Sequence, residues 1–205
     1  MVSALSDGDK ARIEAAVAEI EARSAAEIVV VTTHASHDYA EGIALSAALI
    51  ALLAGGLAAL LLPIGAAMVV AGQMGLFALL WAVWTFARAG HWLTPHRVKL
   101  AHARHAAAME FAKLVNAQTS DRRGLLIYLS LAERHIEIIA DRGIAAAIPD
   151  ARWQEIVAAF PAAVKSQGLG EALLGVVRQS GALLATAFPP EPGQRNELSD
   201  GVVER

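Results

Sequence analysis

The sequence predicts an α/β domain cut in two by a membrane hairpin, and three observations predict it. Two short apolar runs, Glu27 to Thr33 (EIVVVTT) and Gly124 to Ser130 (GLLIYLS), have the unbroken hydrophobic character of strands buried on both faces of a sheet. Segments with helical spacing of apolar residues flank them, as a layered α/β core requires. Between the two runs, from Gly42 to Ala87, there is no Asp, Glu, Lys or Arg. One strand and one helix cannot make a core, so the first strand must find its sheet beyond the apolar segment.

Bulk composition supports the membrane part of this reading. Hydrophobic residues make up 56% of the 205 residues and the mean hydropathy is +0.45, too apolar for a purely water-soluble chain. Pro63-Ile64-Gly65 divides the apolar segment over 43–87 into Ile43 to Leu62 and Ala66 to Phe86. Each piece has about the 20 residues that a hydrocarbon core of about 30 Å demands, which makes a tight transmembrane hairpin. A secretory signal does not fit, because the run is far too long for an h-region and follows an acidic amphipathic segment. Arg88, Arg97, Lys99 and Arg104 follow the second span, Arg23 precedes the first, and the turn between them carries no basic residue. The positive-inside rule then places both termini in the cytoplasm and the whole chain in the cell (inner) membrane. Arg88, Arg97, Lys99 and Arg104 would also meet anionic headgroups, at about 1 kcal/mol each near the surface.

The remaining elements follow in order. Ser6 with Asp9 starts a helix through a capping box, and Ile13, Ala16, Val17 and Ile20 recur at helical spacing. After the hairpin, Thr94 and Pro95 form an N-cap and first-turn pair, and Val98, Ala101, Ala108, Phe111, Leu114 and Val115 mark one helix face to about Ala117. Gly124 to Ser130 is the second strand, Leu131 to Arg134 turns the chain, and His135 to Ala140 returns antiparallel. Pro149 and Asp150 open a helix through Phe160, and Gly168 and Gly170 precede a last one with Leu173, Leu174, Val177 and Leu184 inward. The long crossover between the first two strands suits parallel pairing. The tail over 189–205 has the composition of a disordered end.

SAAEIVVVTT, DRRGLLIYLSLAERHIEIIADRGI and IPDARWQEIVAAF, followed by a helix after Gly168, resemble the TPM domain family, which includes thylakoid-lumen and photosystem-repair proteins. The resemblance covers residues 6–38 and 95–188 and leaves the hairpin outside it. It implies a three-layer α/β/α sandwich with a small mixed sheet. Family members are linked to repair of membrane complexes, receptor accessory roles, calcium binding or acid phosphatase activity, a spread that fold analogy does not narrow. Asp121 resembles an Asp that the family has before its second strand, although Arg122 and Arg123 lengthen this turn. Pro149 and Asp150 match a Pro-Asp at a helix start. Where the family often has Gly-x-Gly, this chain reads Asp141, Arg142, Gly143.

Two groups of side chains could carry chemistry. With the third strand antiparallel to the second, Asp121, Asp141 and Asp150 fall at one end of the sheet, where carboxylates could hold Ca²⁺ or Mg²⁺ and the ion could polarise a phosphoryl oxygen. The plainer reading is that Asp150 caps a helix, Asp121 serves a turn, and Arg122, Arg123 and Arg142 neutralise the group. His34, His37, His91, His96, His102 and His105 lie in the segments flanking the hairpin, with His102 and His105 three residues apart on one helix. The set His34, His37, His102 and His105 could bind a transition metal or sense pH, whereas imidazole and indole groups also simply suit a membrane interface. The absence of cysteine excludes a thiolate nucleophile, a disulfide and a Cys-based metal site.

No Ser/His/Asp constellation or phosphate-binding loop appears, and nothing calls for a nucleic-acid partner. Small residues repeat every four positions on both spans, Ala47, Ala51, Gly55 and Ala59, then Ala67, Ala71 and Gly75. They allow close helix packing within the hairpin, in an oligomer, or against another membrane protein. The expected function is therefore that of a non-catalytic factor for assembly or quality control of membrane proteins. The alternative is a metal-dependent phosphatase built on the carboxylate cluster.

Overall fold

The computed structural model describes residues 5–37, 39–87, 90–115, 122–190 and 201–204. The chain divides into two compact units, one made of Met1–Ser36 with His102–Arg205 and the other of His37–Ala101.

The first unit is an α/β/α sandwich around a four-stranded mixed sheet of order β3-β2-β1-β4. Strand β1 (Glu27–Thr33) runs parallel to β2 (Gly124–Ser130), with Val30 opposite Ile127, and β3 (His135–Ala140) pairs antiparallel with β2. All seven residues of both β1 and β2 are buried, as their uninterrupted apolar runs predict. Alternation along each strand sends Ile28, Val30, Leu125 and Ile127 into one core and Val29, Val31, Leu126 and Tyr128 into another.

Three helices cover the first face. Helix α1 (Asp7–Glu21) begins in the expected capping box, Ser6 accepting from the Asp9 amide, and buries Ile13, Ala16 and Val17. Helix α7 (Asp150–Gln167) buries Trp153, Ile156 and Phe160, and α8 (Leu169–Ala187) buries Leu173, Leu174, Val177 and Leu184. Gly181 lets α8 approach α1, since a Cβ there would lie 2.3 Å from the Ile20 side chain. Helix α7 runs past Pro161 to Gln167 instead of ending at Phe160. The proline forgoes one intrahelical hydrogen bond, a cost of about 3 kcal/mol, against which Val157, Ala163 and Val164 pack on the core.

The second face is covered by the latter part of α5 (His96–Glu110) and a π-helical turn, Phe111–Val115. Its inward stripe is Ala103, Ala107, Phe111 and Val115, with Leu114 beside them, whereas Val98, Ala101 and Ala108 are exposed. A short helix α6 (Arg142–Ala147) follows β3. The tail also differs in part from its expected disorder: Val203–Glu204 form β4, parallel to Val31 and Thr32.

The second unit is a helical hairpin of α2 (Ala40–Leu61) and α3 (Ala66–Phe86), followed by the short α4 (Gly90–Leu93). Both long helices are apolar enough to cross a membrane. The buried stripe of α2 is Ile43, Ala47, Ala51 and Gly55, and a Cβ on Gly55 would meet the Gln73 side chain at 2.2 Å. Ala67, Ala71 and Gly75 of α3 are exposed, and its half-buried line is Val69, Gln73, Leu76 and Leu80. The long Gln73 side chain needs the space over Gly55, which turns that line rather than the small-residue one toward α2.

Candidate functional site

The parallel pair β1 and β2 ends at Thr33 and Ser130, and the crevice beyond the carboxyl ends of parallel strands is where α/β sheets usually place ligands. Here the two strand ends are tied together. Thr33 and His34 accept the Leu131 and Ala132 amides through their carbonyls (3.0 and 2.9 Å). Thr33 Oγ1 donates to the Ala35 carbonyl (3.0 Å), curling the chain back over the strand. That turn presents the Ser36 amide to both carboxylate oxygens of Glu133, each at 3.2 Å.

Glu133 is buried and also accepts from the fully buried Ser130 hydroxyl. The Ser36 hydroxyl shares a hydrogen bond with the Tyr128 phenol at 3.0 Å. Burial pushes the Tyr128 phenol above its ordinary pKa; the Ser36 contact lowers it, and the charges of Glu133 and Glu110 raise it further. Raised in this way, Tyr128 stays a neutral hydrogen-bonding group at ordinary pH. The network is therefore a clamp joining the end of β1 to the β2–β3 turn, at the point where the chain departs for the hairpin.

Beside the clamp lies a half-open cleft of about 290 Å³. Leu129, Leu131, Phe160, Pro161 and Val164 make its apolar lining, and Arg134 and Lys165 add two cations. Its size is at the lower end of small-molecule pockets, about 300–1,000 Å³. Arg134 holds a left-handed backbone (φ 51°) that closes the turn into β3.

Of the acidic residues singled out from sequence, Asp141 lies at the opposite end of the sheet, its amide donating to the Gly124 carbonyl (2.9 Å). Asp141 is buried and caps α6, accepting the Arg142 amide at 2.6 Å. Asp150 lies in the first turn of α7 and accepts from Gln154 Nε2 at 2.5 Å. Asp121 lies outside the described residues. Gly143 donates its amide to the Arg122 carbonyl (3.0 Å), and a Cβ there would come within 2.6 Å of that oxygen, so this position requires glycine.

The histidines are spread over both units. His34 is exposed after β1, and His37 Nδ1 accepts the Tyr39 amide at 3.0 Å. On α5, His102 is half-buried and His105 exposed. Among the described residues no three His, Asp or Glu side chains converge as a metal site. Of the basic residues set for headgroups, Arg97 and Arg104 are exposed and Lys99 is half-buried, while Arg88 lies outside the described residues. The polar groups inside the spans serve the helices themselves: Ser46 donates to the Gly42 carbonyl, Thr85 to the Trp81 carbonyl (2.7 Å) and Gln73 to the Leu52 carbonyl (3.4 Å).

Fold and site together define a small α/β/α sandwich whose sheet is completed across an inserted apolar hairpin. Residues 99–183, less than half of the chain, match the family model described as the TPM domain. Among solved structures the chain is similar to the BA42 protein from the psychrophilic bacterium Bizionia argentinensis, determined by NMR. The two share 16% identity with a TM-score of 0.61 over 99% of this chain and 97% of that one. This likeness carries the fold. No curated protein matches the chain.

Proposed function

We propose that this chain is a membrane-anchored TPM domain that acts by binding, as an assembly or quality-control factor for other membrane proteins. The observation that carries the reading is α3: 21 residues without a charge, none of them buried. Phe86, Met74 and Met68 are 89%, 68% and 67% exposed, a contiguous apolar surface that water does not tolerate on a monomer and that a bilayer would cover. The exposed stripe Ala67, Ala71 and Gly75 gives another membrane helix, or a second copy, a place to pack.

The anchor is tested by washing isolated membranes with alkaline carbonate. The chain is expected to stay with the membrane until detergent is added, and release by carbonate would end the reading. A cysteine placed at Pro63 or Ile64 should react with an impermeant reagent added outside intact cells while tags at the termini do not; labelled termini would reverse the orientation. Crosslinking in native membranes should then recover other membrane proteins. The rival phosphatase reading predicts turnover of phosphate esters that depends on Ca²⁺ or Mg²⁺ and is lost in Asp141→Ala.

A further inference from the structure

The cleft beside the clamp has a cationic rim over an apolar lining, and the clamp itself explains the sign. Glu133, the carboxylate nearest in sequence to Arg134, is buried and engaged by the Ser36 amide and the Ser130 hydroxyl. Among the described residues no acidic side chain lines the cleft, and neither Arg134 nor Lys165 has an ion-pair partner. Lys10, Arg12, Lys113 and Arg152, by contrast, each sit against a carboxylate. Two cations at the mouth of an apolar recess are therefore left to meet an anion from outside.

The walls are fixed before any ligand arrives. Leu129 belongs to β2, and Leu131 is tied through its amide to the Thr33 carbonyl at 3.0 Å. Phe160, Pro161 and Val164 come from α7, with Lys165 in its last turn. Gly168, at φ 90°, turns the chain into α8 and brings Leu169 to the cleft. Arg134 holds its left-handed position with its amide on the Leu131 carbonyl at 3.3 Å. A recess built from a strand, a closed turn and two helices needs little ordering when it is filled, which favours binding.

We propose that this cleft binds a small amphipathic monoanion, a short-chain carboxylic acid whose chain lies on Leu131, Phe160 and Val164 and whose carboxylate meets Arg134 and Lys165. An apolar recess with a few polar groups that set orientation is the usual make-up of a small-molecule site, and the planar Arg fork matches a carboxylate. A volume of about 290 Å³ admits a short chain and excludes a whole membrane lipid. The Ser130 hydroxyl also borders the cleft, but it donates to Glu133, so the acid is held there and not transformed. The site lies wholly within the sandwich, and it adds a ligand to the proposed assembly role without depending on it.

The test is calorimetric titration of the full chain in a steroid-based detergent, whose fused rings are too large for the cleft, with empty micelles as the blank. Hexanoate and hexanol are the probes, since they share a chain and differ in charge. Hexanoate is expected to bind saturably and at least fivefold more tightly than hexanol, the size of two solvent-facing ion pairs. Raising the salt concentration should shrink that preference, because exposed charges are screened. Arg134→Gln and Lys165→Gln change exposed side chains, so both variants should keep the melting temperature of the unaltered chain. Each should reduce the preference, and the double variant should bind the two probes alike. Hexanoate binding no tighter than hexanol, a preference that survives in the folded double variant, or no saturable heat beyond the blank would each overturn the proposal. None of these results bears on whether carbonate releases the chain from membranes, so the two readings fail separately.

Discussion

Replacing Glu133 by alanine tests whether the clamp holds the two strand ends together. The substitution removes the acceptor of the Ser36 amide and of the Ser130 hydroxyl at a site where Ser130 is 0% exposed. Hydrogen bonds to a charged group contribute about 1.5–3 kcal/mol each, and a stranded buried hydroxyl costs about 1–3 kcal/mol. Relief from burying the carboxylate offsets part of this, leaving an expected loss of roughly 3 kcal/mol. At about 2–4 °C per kcal/mol for a chain of this size, the melting temperature should fall by roughly 6–12 °C. The assay is thermal unfolding followed by circular dichroism in detergent. Ser130→Ala made together with Glu133→Ala leaves no hydroxyl stranded, so the double variant should lose about 1 kcal/mol less than the sum of the singles. A Glu133→Ala chain that melts with the unaltered one, or a coupling of zero, would refute the clamp.

Acid should loosen the seam between α1 and α8. The Ser6 hydrogen bond holds Asp9 below 3.8, and the Arg12 contact (2.6 Å) holds Glu171 below 4.5. Carboxyls depressed in the folded state add stability that is whole above these ordinary values and is lost as the pH falls through and below them. Melting curves taken across that range should therefore fall less steeply for Glu171→Gln than for the unaltered chain. Ser180→Ala should stabilise, because the Ser180 hydroxyl is fully buried without a partner among the described residues; an increase of about 1–2 kcal/mol in urea unfolding is expected. Residues 93–205 expressed alone lack β1 and α1, and should show no cooperative unfolding transition. A dispersed amide spectrum from that fragment would mean the domain does not need its first half.

Local chemistry announced most of the sandwich. The capping box at Ser6, the apolar runs of β1 and β2, the turn at Leu131 to Arg134 and the break at Gly168 each act within a few residues, and each element stands where those signals put it. The inference that β1 must join β2 across the hairpin followed from burial alone, since a strand with seven apolar or buried positions has to be covered on both faces. What stayed hidden depends on residues far apart in the chain. Ser36 and Tyr128 are 92 positions apart, and Glu133 reads as one more polar residue in a turn until the parallel register brings Thr33 beside Ser130. Two valines in a polar tail show no periodicity, so nothing local marks β4; the α1 side chains Lys10 and Glu14 select it. The sequence drew attention to the end of the sheet with several acids, yet Asp141 caps α6 and Asp150 serves the first turn of α7. One carboxylate in an unremarkable turn ties the strand ends, because its burial, not its company in sequence, determines what it holds. A chain that inserts a hairpin into its own sheet needs such a tie at the insertion point, where the two halves of the fold would otherwise part first.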